Sequence, residues 1–285
     1  MNTPCPLASR PLAWILATTL VLAAAAPAAA QFRPRIVTNP SVGEEFDIEG
    51  SVDLWFPTAD ITFASAGSAN LAGIPGTTID LKGDLGLADK RLPQFGVVLK
   101  GGKHHKLRVQ YIPIKYDQSG VLQRRIVFNG QEYRIGLPVN STIDWKALRI
   151  GYEYDFVIKN RGFGGFIIED KQTDIRIDVA TPLANPPEQF ARARAPIPAL
   201  GGIARYYPAP HFSITGEFTG FRIPDSIDNR YAAHYVDFDV YATYNFNQNV
   251  GVHGGYRSLD FGYHIKEDTG SSTLRGLYVG IVARY

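Results

Sequence analysis

Leu277-Tyr-Val-Gly-Ile-Val-Ala-Arg-Tyr285 sets Leu277, Val279, Ile281, Ala283 and Tyr285 on one face of an extended chain, with Tyr278, Gly280, Val282 and Arg284 on the other. A period of two is the mark of a β-strand, and a strand whose one face is almost wholly apolar must set that face against something oily. Phe46-Asp-Ile-Glu-Gly-Ser-Val-Asp-Leu-Trp-Phe56 repeats the pattern more sharply. Phe46, Ile48, Val52, Leu54 and Phe56 oppose Asp47, Glu49, Ser51 and Asp53. A soluble sandwich would also alternate, but it would need a second sheet to cover the apolar face.

The same reading predicts eight further strands: 91–101, 104–116, 143–157, 163–171, 198–207, 211–221, 233–246 and 250–261. With 46–56 and 273–285 that makes ten, and eight is the alternative count. Tight connections with Gly, Pro or Asn fall near 101–104, 159–162, 208–210 and 247–249, where turns need such residues. Long connections alternate with them, near 57–90, 117–142, 172–197, 222–232 and 262–272. Within the second, Val121–Phe128 and Gln131–Leu137 flank Asn129-Gly130 as a hairpin that would extend the third and fourth strands. The third, with its many prolines, reads as irregular. Pro113 cannot donate to a ladder, so it is expected at a bulge or at the outer rim.

Met1–Ala30 reads as a cleavable export signal, with Arg10, an apolar core over Leu12–Ala26, and Pro27-Ala28-Ala29-Ala30 before the cut. Residues 31–45 are then a short periplasmic segment and 46–285 the body of the protein. Cleavage removes 30 of 285 residues, among them the sole Cys (Cys5) and the sole Met. Disulfides and Cys-ligated zinc are thereby excluded. With Arg10 gone, 28 Lys+Arg face 27 Asp+Glu, a balance that offers no general attraction to nucleic acid. Mean hydropathy of -0.10 suits a soluble protein, and it equally suits strands of which alternate residues meet lipid. The 16 Phe and 15 Tyr fit interfacial aromatic belts.

On these residues, over Phe46–Tyr285, the chain resembles Gram-negative outer-membrane β-barrel proteins. Leu277, Val279, Ile281 and Tyr285 look like the C-terminal signal that the barrel assembly machinery reads. The resemblance implies an all-β fold: a closed antiparallel up-and-down barrel with short periplasmic turns, long external loops and both chain ends in the periplasm. It also implies outer-membrane lipid and lipopolysaccharide as surroundings. Oligomeric state is left open.

The inward faces are expected to carry Asp47, Glu49, Asp53, Arg108, Arg149, Glu153, Asp155, Glu217, Asp237, Asp239, His253 and Arg257, together with Glu169, Lys171, Arg205 and Arg284. Buried charges must be paired, so these are read as an ion-pair plug, with a narrow conduit for small polar solutes as the alternative. No catalytic or cofactor site is assigned. His211-Phe-Ser213 with Glu217 is similar to a motif of the lipid A 3-O-deacylases, but Ile214-Thr215 departs from it. Asp225, Asp228, His234, Asp237 and Asp239 could compose an omptin-like rim site only by analogy of strand number. Asp80, Asp84 and Asp89 lack the spacing of a calcium loop and read as a solvated acidic stretch. A rim-active enzyme and a surface protein that binds through its loops remain the other functional classes.

Overall fold

Alternation in the sequence becomes alternation about a cylinder wall. A computed structural model describes residues 41–64, 77–128, 131–181, 189–223, 231–265 and 268–285. Residues 1–30, expected to be an export signal, and Asn129-Gly130, expected to be a hairpin turn, lie outside them. Among the described residues there are thirteen strands: β1 (Ile48–Ala64), β2 (Ile79–Asp80), β3 (Leu92–Gly101), β4 (His105–Val121), β5 (Ile126–Phe128), β6 (Gln131–Tyr133), β7 (Pro138–Lys159), β8 (Gly162–Ala180), β9 (Gln189–Ala209), β10 (Phe212–Ile223), β11 (Tyr231–Asn245), β12 (Val250–Ile265) and β13 (Asp268–Arg284). Ten of these pair antiparallel in the order β13-β12-β11-β10-β9-β8-β7-β4-β3-β1, and β1 pairs with β13 from Glu49↔Arg284 to Ala64↔Thr269. The sheet is therefore sealed, and no edge is left at its seam.

The strands are longer than their sequence signal. β8 continues from Lys171 to Ala180, and β9 begins at Gln189, so most of the supposedly irregular third loop is ladder, with Asp178↔Phe190 still in register. The reason is an exchange of faces partway up the wall. On β1 the outward residues Ile48, Val52, Leu54 and Phe56 give way to Thr58, Asp60 and Thr62, while the inward residues change from Glu49, Ser51 and Asp53 to Trp55, Ala59, Ile61 and Phe63. β8 does the same: Phe166 and Ile168 outside yield to Asp170, Gln172, Asp174 and Arg176, as Glu169 and Lys171 inside yield to Ile177 and Val179. β4, β7, β12 and β13 follow suit, with Ile112, Ile114, Tyr116, Ile143, Trp145, Leu259, Phe261 and Leu274 buried within. The lower half of the barrel is oily outside and charged inside. The upper half is the reverse.

The upper core is completed by the connection after β1, which folds inward. β2 pairs with β1 at Thr62↔Asp80 and Phe63↔Ile79, the Leu81 amide donates to the Ile61 carbonyl at 3.0 Å, and Ile79, Leu81, Leu85 and Leu87 are buried. Asp84 is no solvated loop acid: it receives Arg124 Nε at 2.6 Å and Nη2 at 2.5 Å, and those hydrogen bonds hold its carboxyl below the ordinary aspartate value. β5 and β6 form a two-stranded sheet of their own and do not lengthen β4 and β7. Leu122, Ile126 and Tyr133 from this region join the core, and Tyr133 donates its hydroxyl to the Val179 carbonyl at 3.3 Å.

Pro113 sits opposite Lys146 in regular pairing with β7, two residues above the last β3–β4 pair, Phe95↔Tyr111. Its missing donor thus falls where β4 has lost its β3 neighbour, at the level where the outer face turns polar. At the base, one assignment is corrected. The Asp47 and Ile48 amides both donate to the Tyr285 carbonyl, at 2.7 and 3.0 Å, and this shared acceptor breaks the alternation. Asp47 is exposed at the rim, and Phe46 turns inward beneath Lys100 and Arg284.

If the inserted segment is a true core element, Leu81→Ala should lower the stability of the refolded barrel by about 2–5 kcal/mol. Asp60→Asn on the outer face of the neighbouring β1 should shift it by less than about 0.5 kcal/mol. Urea titration of both variants checks the contrast.

Candidate functional site: the lumen

Period two delivers charges to the inside of the lower barrel, but the register decides which of them meet. Arg108 on β4 spans the lumen, donating to Glu153 at 2.8 Å and to Glu217, on β10, at 2.6 Å. Lys106 below it reaches Glu153 at 2.7 Å and Asp155 at 2.9 Å, with its ammonium 3.7 Å from the Phe163 ring centre. Arg149 joins Glu169 and Glu217 and stands 3.6 Å from Asp237. Lys171 bridges Glu169 and Asp237, both at 2.9 Å. Arg257 gives Nε and Nη2 to Asp237 at 3.0 and 2.7 Å, and sends Nη1 across to Gln94 on β3 at 2.7 Å. Five cations and five carboxylates are thus knitted together, and Glu153, Asp155, Glu169, Lys171, Glu217, Asp237 and Arg257 are all buried.

A second set lies beside this network. Asp53 on β1 bonds His253 on β12 across the intervening β13, and Gly280 is the β13 residue in register with both. A Cβ at Gly280 would collide with the Asp53 carboxylate, so glycine is what lets the pair close. Glu49 is bound to Arg284 at 2.5 Å. Asp239 accepts the Tyr278 hydroxyl at 3.0 Å and has no ion-pair partner among the described residues. Between these groups lies a polar cavity of about 80 Å³, lined by Asp53, Gln94, Glu217, Asp239, Tyr241 and His253 among others. It has room for a few waters. Above it, Arg257, Asp237 and Lys171 meet the apolar core, and Lys171 lies 4.4 Å from the Tyr235 ring centre.

Residues 41–46 cross the lower mouth of the barrel, a role no sequence pattern announced. The Ser41 hydroxyl donates to the Asn160 carbonyl at 2.9 Å, the Val42 amide to the Pro210 carbonyl at 2.9 Å and the Gly43 amide to the Gln248 side chain at 2.6 Å. Glu44 accepts from Arg205 at 2.8 Å and from the Tyr207 hydroxyl. Burial alone would raise the Glu44 carboxyl, yet Arg205 and Tyr207 outweigh it and hold it below the ordinary glutamate value.

Among the described residues the groups of the two catalytic analogies are not brought together. His211 is exposed at a turn with its ring on the Asn245 carbonyl at 2.7 Å, and Glu217 is occupied by two arginines. Asp225 and Asp228 lie outside the described residues. Asp237 and Asp239 point into the lumen, whereas His234 stands on the outer face with Asp260 at 2.6 Å. Among the described residues no group of three or more His, Cys, Asp or Glu is arranged to hold a metal ion. At the C-terminus, Leu277, Val279, Ile281 and Tyr285 project outward from β13 and are exposed.

No protein-family model matches the chain, and neither does any curated protein. Solved structures do match. The outer-membrane protease OmpT of Escherichia coli superposes with a TM-score of 0.55 at 8% identity, over 87% of this chain and 99% of that one. The fold is that of an outer-membrane β-barrel protein. A FadL homologue of Pseudomonas aeruginosa (TM-score 0.37, 8% identity, 87% and 93% covered) is a looser match. So is Ail of Yersinia pestis (0.35, 6%, 82% and 99%). At such identities the likeness concerns architecture only.

Two tests follow from the lumen. Asp237 holds three cations, so Asp237→Asn leaves buried charge uncompensated and should destabilise the barrel by about 3–5 kcal/mol in chemical unfolding. The Glu44 carboxyl is lowered on folding, so its contribution is complete above its ordinary value of 4.5 and is lost as pH falls through the depressed value. The protection factors of the amides of residues 41–46 should therefore be high at neutral pH and fall as pH drops below the ordinary value of 4.5 and through the depressed one. In Glu44→Gln they should be low at both.

Proposed function

We propose that this chain is an integral outer-membrane barrel that conducts nothing and serves as a rigid structural element presenting a folded body at the cell surface. The observation that supports this is the filled interior: an ion-pair network at membrane height, and an apolar core with an inserted loop above it. A conduit needs continuous water, and the polar cavity is small and lined by Gln94, which is bonded to Arg257, and by Arg149, which stands 3.6 Å from Asp237, with buried apolar residues filling the barrel above. The outward band of Ile48, Val52, Leu54, Phe95, Val97, Leu99, Phe166, Ile168, Phe218, Phe238, Leu277, Val279 and Ile281 is what a hydrocarbon layer requires.

In this reading residues 1–30 direct export, and the outward face of β13 is what the assembly machinery recognises. No catalysis is included, because the acids of the central network are held by arginine and lysine, Asp53 by His253 and Asp239 by the Tyr278 hydroxyl, and the described rim residues do not converge. Surface binding is the reading's second part. β8 climbs ten residues beyond Asp170, on the order of 25 Å once strand tilt is allowed for. Its exterior is polar and its interior packed, so partners would meet a preformed wall instead of a loose loop.

Planar-bilayer recording of the purified, folded barrel tests the central point. Silence at the level of protein-free lipid is expected. Reproducible unit steps in the wild-type protein would replace this reading with the conduit.

A further inference from the structure

Between β12, β13 and β1 the outer apolar band is dented. Tyr256, Leu277 and Phe56 form one outward row, and Gly254, Val279 and Leu54 the row beneath it. Gly254 has no side chain to fill its place, which leaves a furrow walled by Phe56, Leu277 and Val279. These three are 41%, 66% and 55% exposed, so the furrow opens directly onto the surrounding medium.

Two arginines stand at its upper end. Arg275 lies one pleat above Leu277, opposite Thr58, and Arg91 precedes β3 with its guanidinium 5.6 Å from the Phe56 ring centre. Both are exposed, and neither has a carboxylate within ion-pair distance among the described residues. Two other cations of the outer wall have acid neighbours: Lys115 lies 3.6 Å from Asp117, and Arg176 2.9 Å from Asp178. Here the positive charge is uncompensated, and it sits where the apolar band ends. The two guanidinium-bearing strands are separated only by β1, about 10 Å at the usual sheet spacing. Stacking on Phe56 limits the freedom of Arg91, so less is lost when it takes hold of an anion.

We infer that this seam binds a phosphorylated, acylated lipid of the outer leaflet, in the form of lipopolysaccharide. An acyl chain would run down the furrow at Gly254, and phosphate oxygens would meet Arg275 and Arg91, with the Thr58 hydroxyl between them. Arginine suits the task because its planar fork pairs two phosphate oxygens at once. The inference rests on the membrane reading above and adds a specific lipid site to it.

The full-length barrel, refolded in detergent, is titrated with purified lipopolysaccharide and with the same material after enzymatic dephosphorylation. Arg91→Gln/Arg275→Gln should bind intact lipopolysaccharide on the order of 30-fold more weakly than wild type. Dephosphorylation should weaken wild type by a similar factor and the double variant little. Equal affinity of wild type and variant for intact lipopolysaccharide overturns the site, and so does indifference of wild type to dephosphorylation. Both substitutions are at exposed positions, and heat-shifted gel mobility reports whether each protein is folded. Fractionation separates the two layers of argument. A chain that fails to co-sediment with outer membranes sinks the membrane reading and the lipid site together, whereas one that co-sediments but ignores the phosphates loses the lipid site alone.

Discussion

A closed ladder solves the backbone problem of a wall in hydrocarbon, and everything else in this protein follows from which side of that wall is wet. Every strand N–H and C=O in the lipid layer must be paired, since an unpaired group there costs several kcal/mol. Ten strands sealed at the β1–β13 seam meet that demand. Side chains then have two faces to serve. While the outside is oil the inside must take the polar residues. Once the wall rises into water the assignment reverses, and the interior can become an ordinary apolar core. Trp55 marks the changeover on β1, one pleat above Asp53; Ile112 marks it on β4, one pleat above Gln110. The upper barrel is thus built like a soluble protein, with Leu81 and Leu85 supplied by an inserted loop because the wall alone does not fill the space.

The lower half is costlier. Taking an ion out of water carries a penalty of several kcal/mol, and a single pair seldom recovers it. The arrangement around Asp237 and Glu217 offsets it by sharing: these two acids each serve more than one cation, and Arg108 and Arg149 each serve more than one acid. Such a network gains little over a well-packed apolar core of equal volume. Its effect is to fix register. A one-residue slip of β11 would turn Asp237 to lipid and Phe238 inward, abandoning Lys171 and Arg257. Charge in this lumen specifies the barrel more than it stabilises it.

How much of this was legible in the sequence depends on which alternation is meant. Glu49, Ser51 and Asp53 against Ile48, Val52 and Leu54 could be read at once, because oil-facing and water-facing residues differ so strongly in type. Ten strands, their order and their closure followed. The upper halves were missed for a physical reason: beyond Asp170 the period of two persists, but with polar residues on the outward side. Asp174, Arg176 and Asp178 therefore resemble a loop when lipid is the assumed neighbour. Partners within the lumen were illegible too. Arg257 lies in register with Asp239 yet turns to Asp237 and Gln94, a choice of rotamer that no spacing encodes. The inward fold of Ile79, Leu81, Leu85 and Leu87 has no regular period at all.

The likeness to a protease shows where fold stops being informative. A ten-stranded wall can present acids and histidines at its rim, but whether they can act together is settled by the parity of each residue. His234 is an even-numbered residue of β11, and so faces outward; Asp237 and Asp239 are odd, and so face the lumen. No flexing of side chains brings groups on opposite faces of one sheet to a common substrate. Parity also places Arg275 and Leu277 on the same outward face as Gly254. Two arginines and an apolar furrow can share one amphiphile there, with its charged end up and its chain down, because the sheet has already sorted them by height. On a wall like this one, chemistry is available only where strand parity and membrane depth agree.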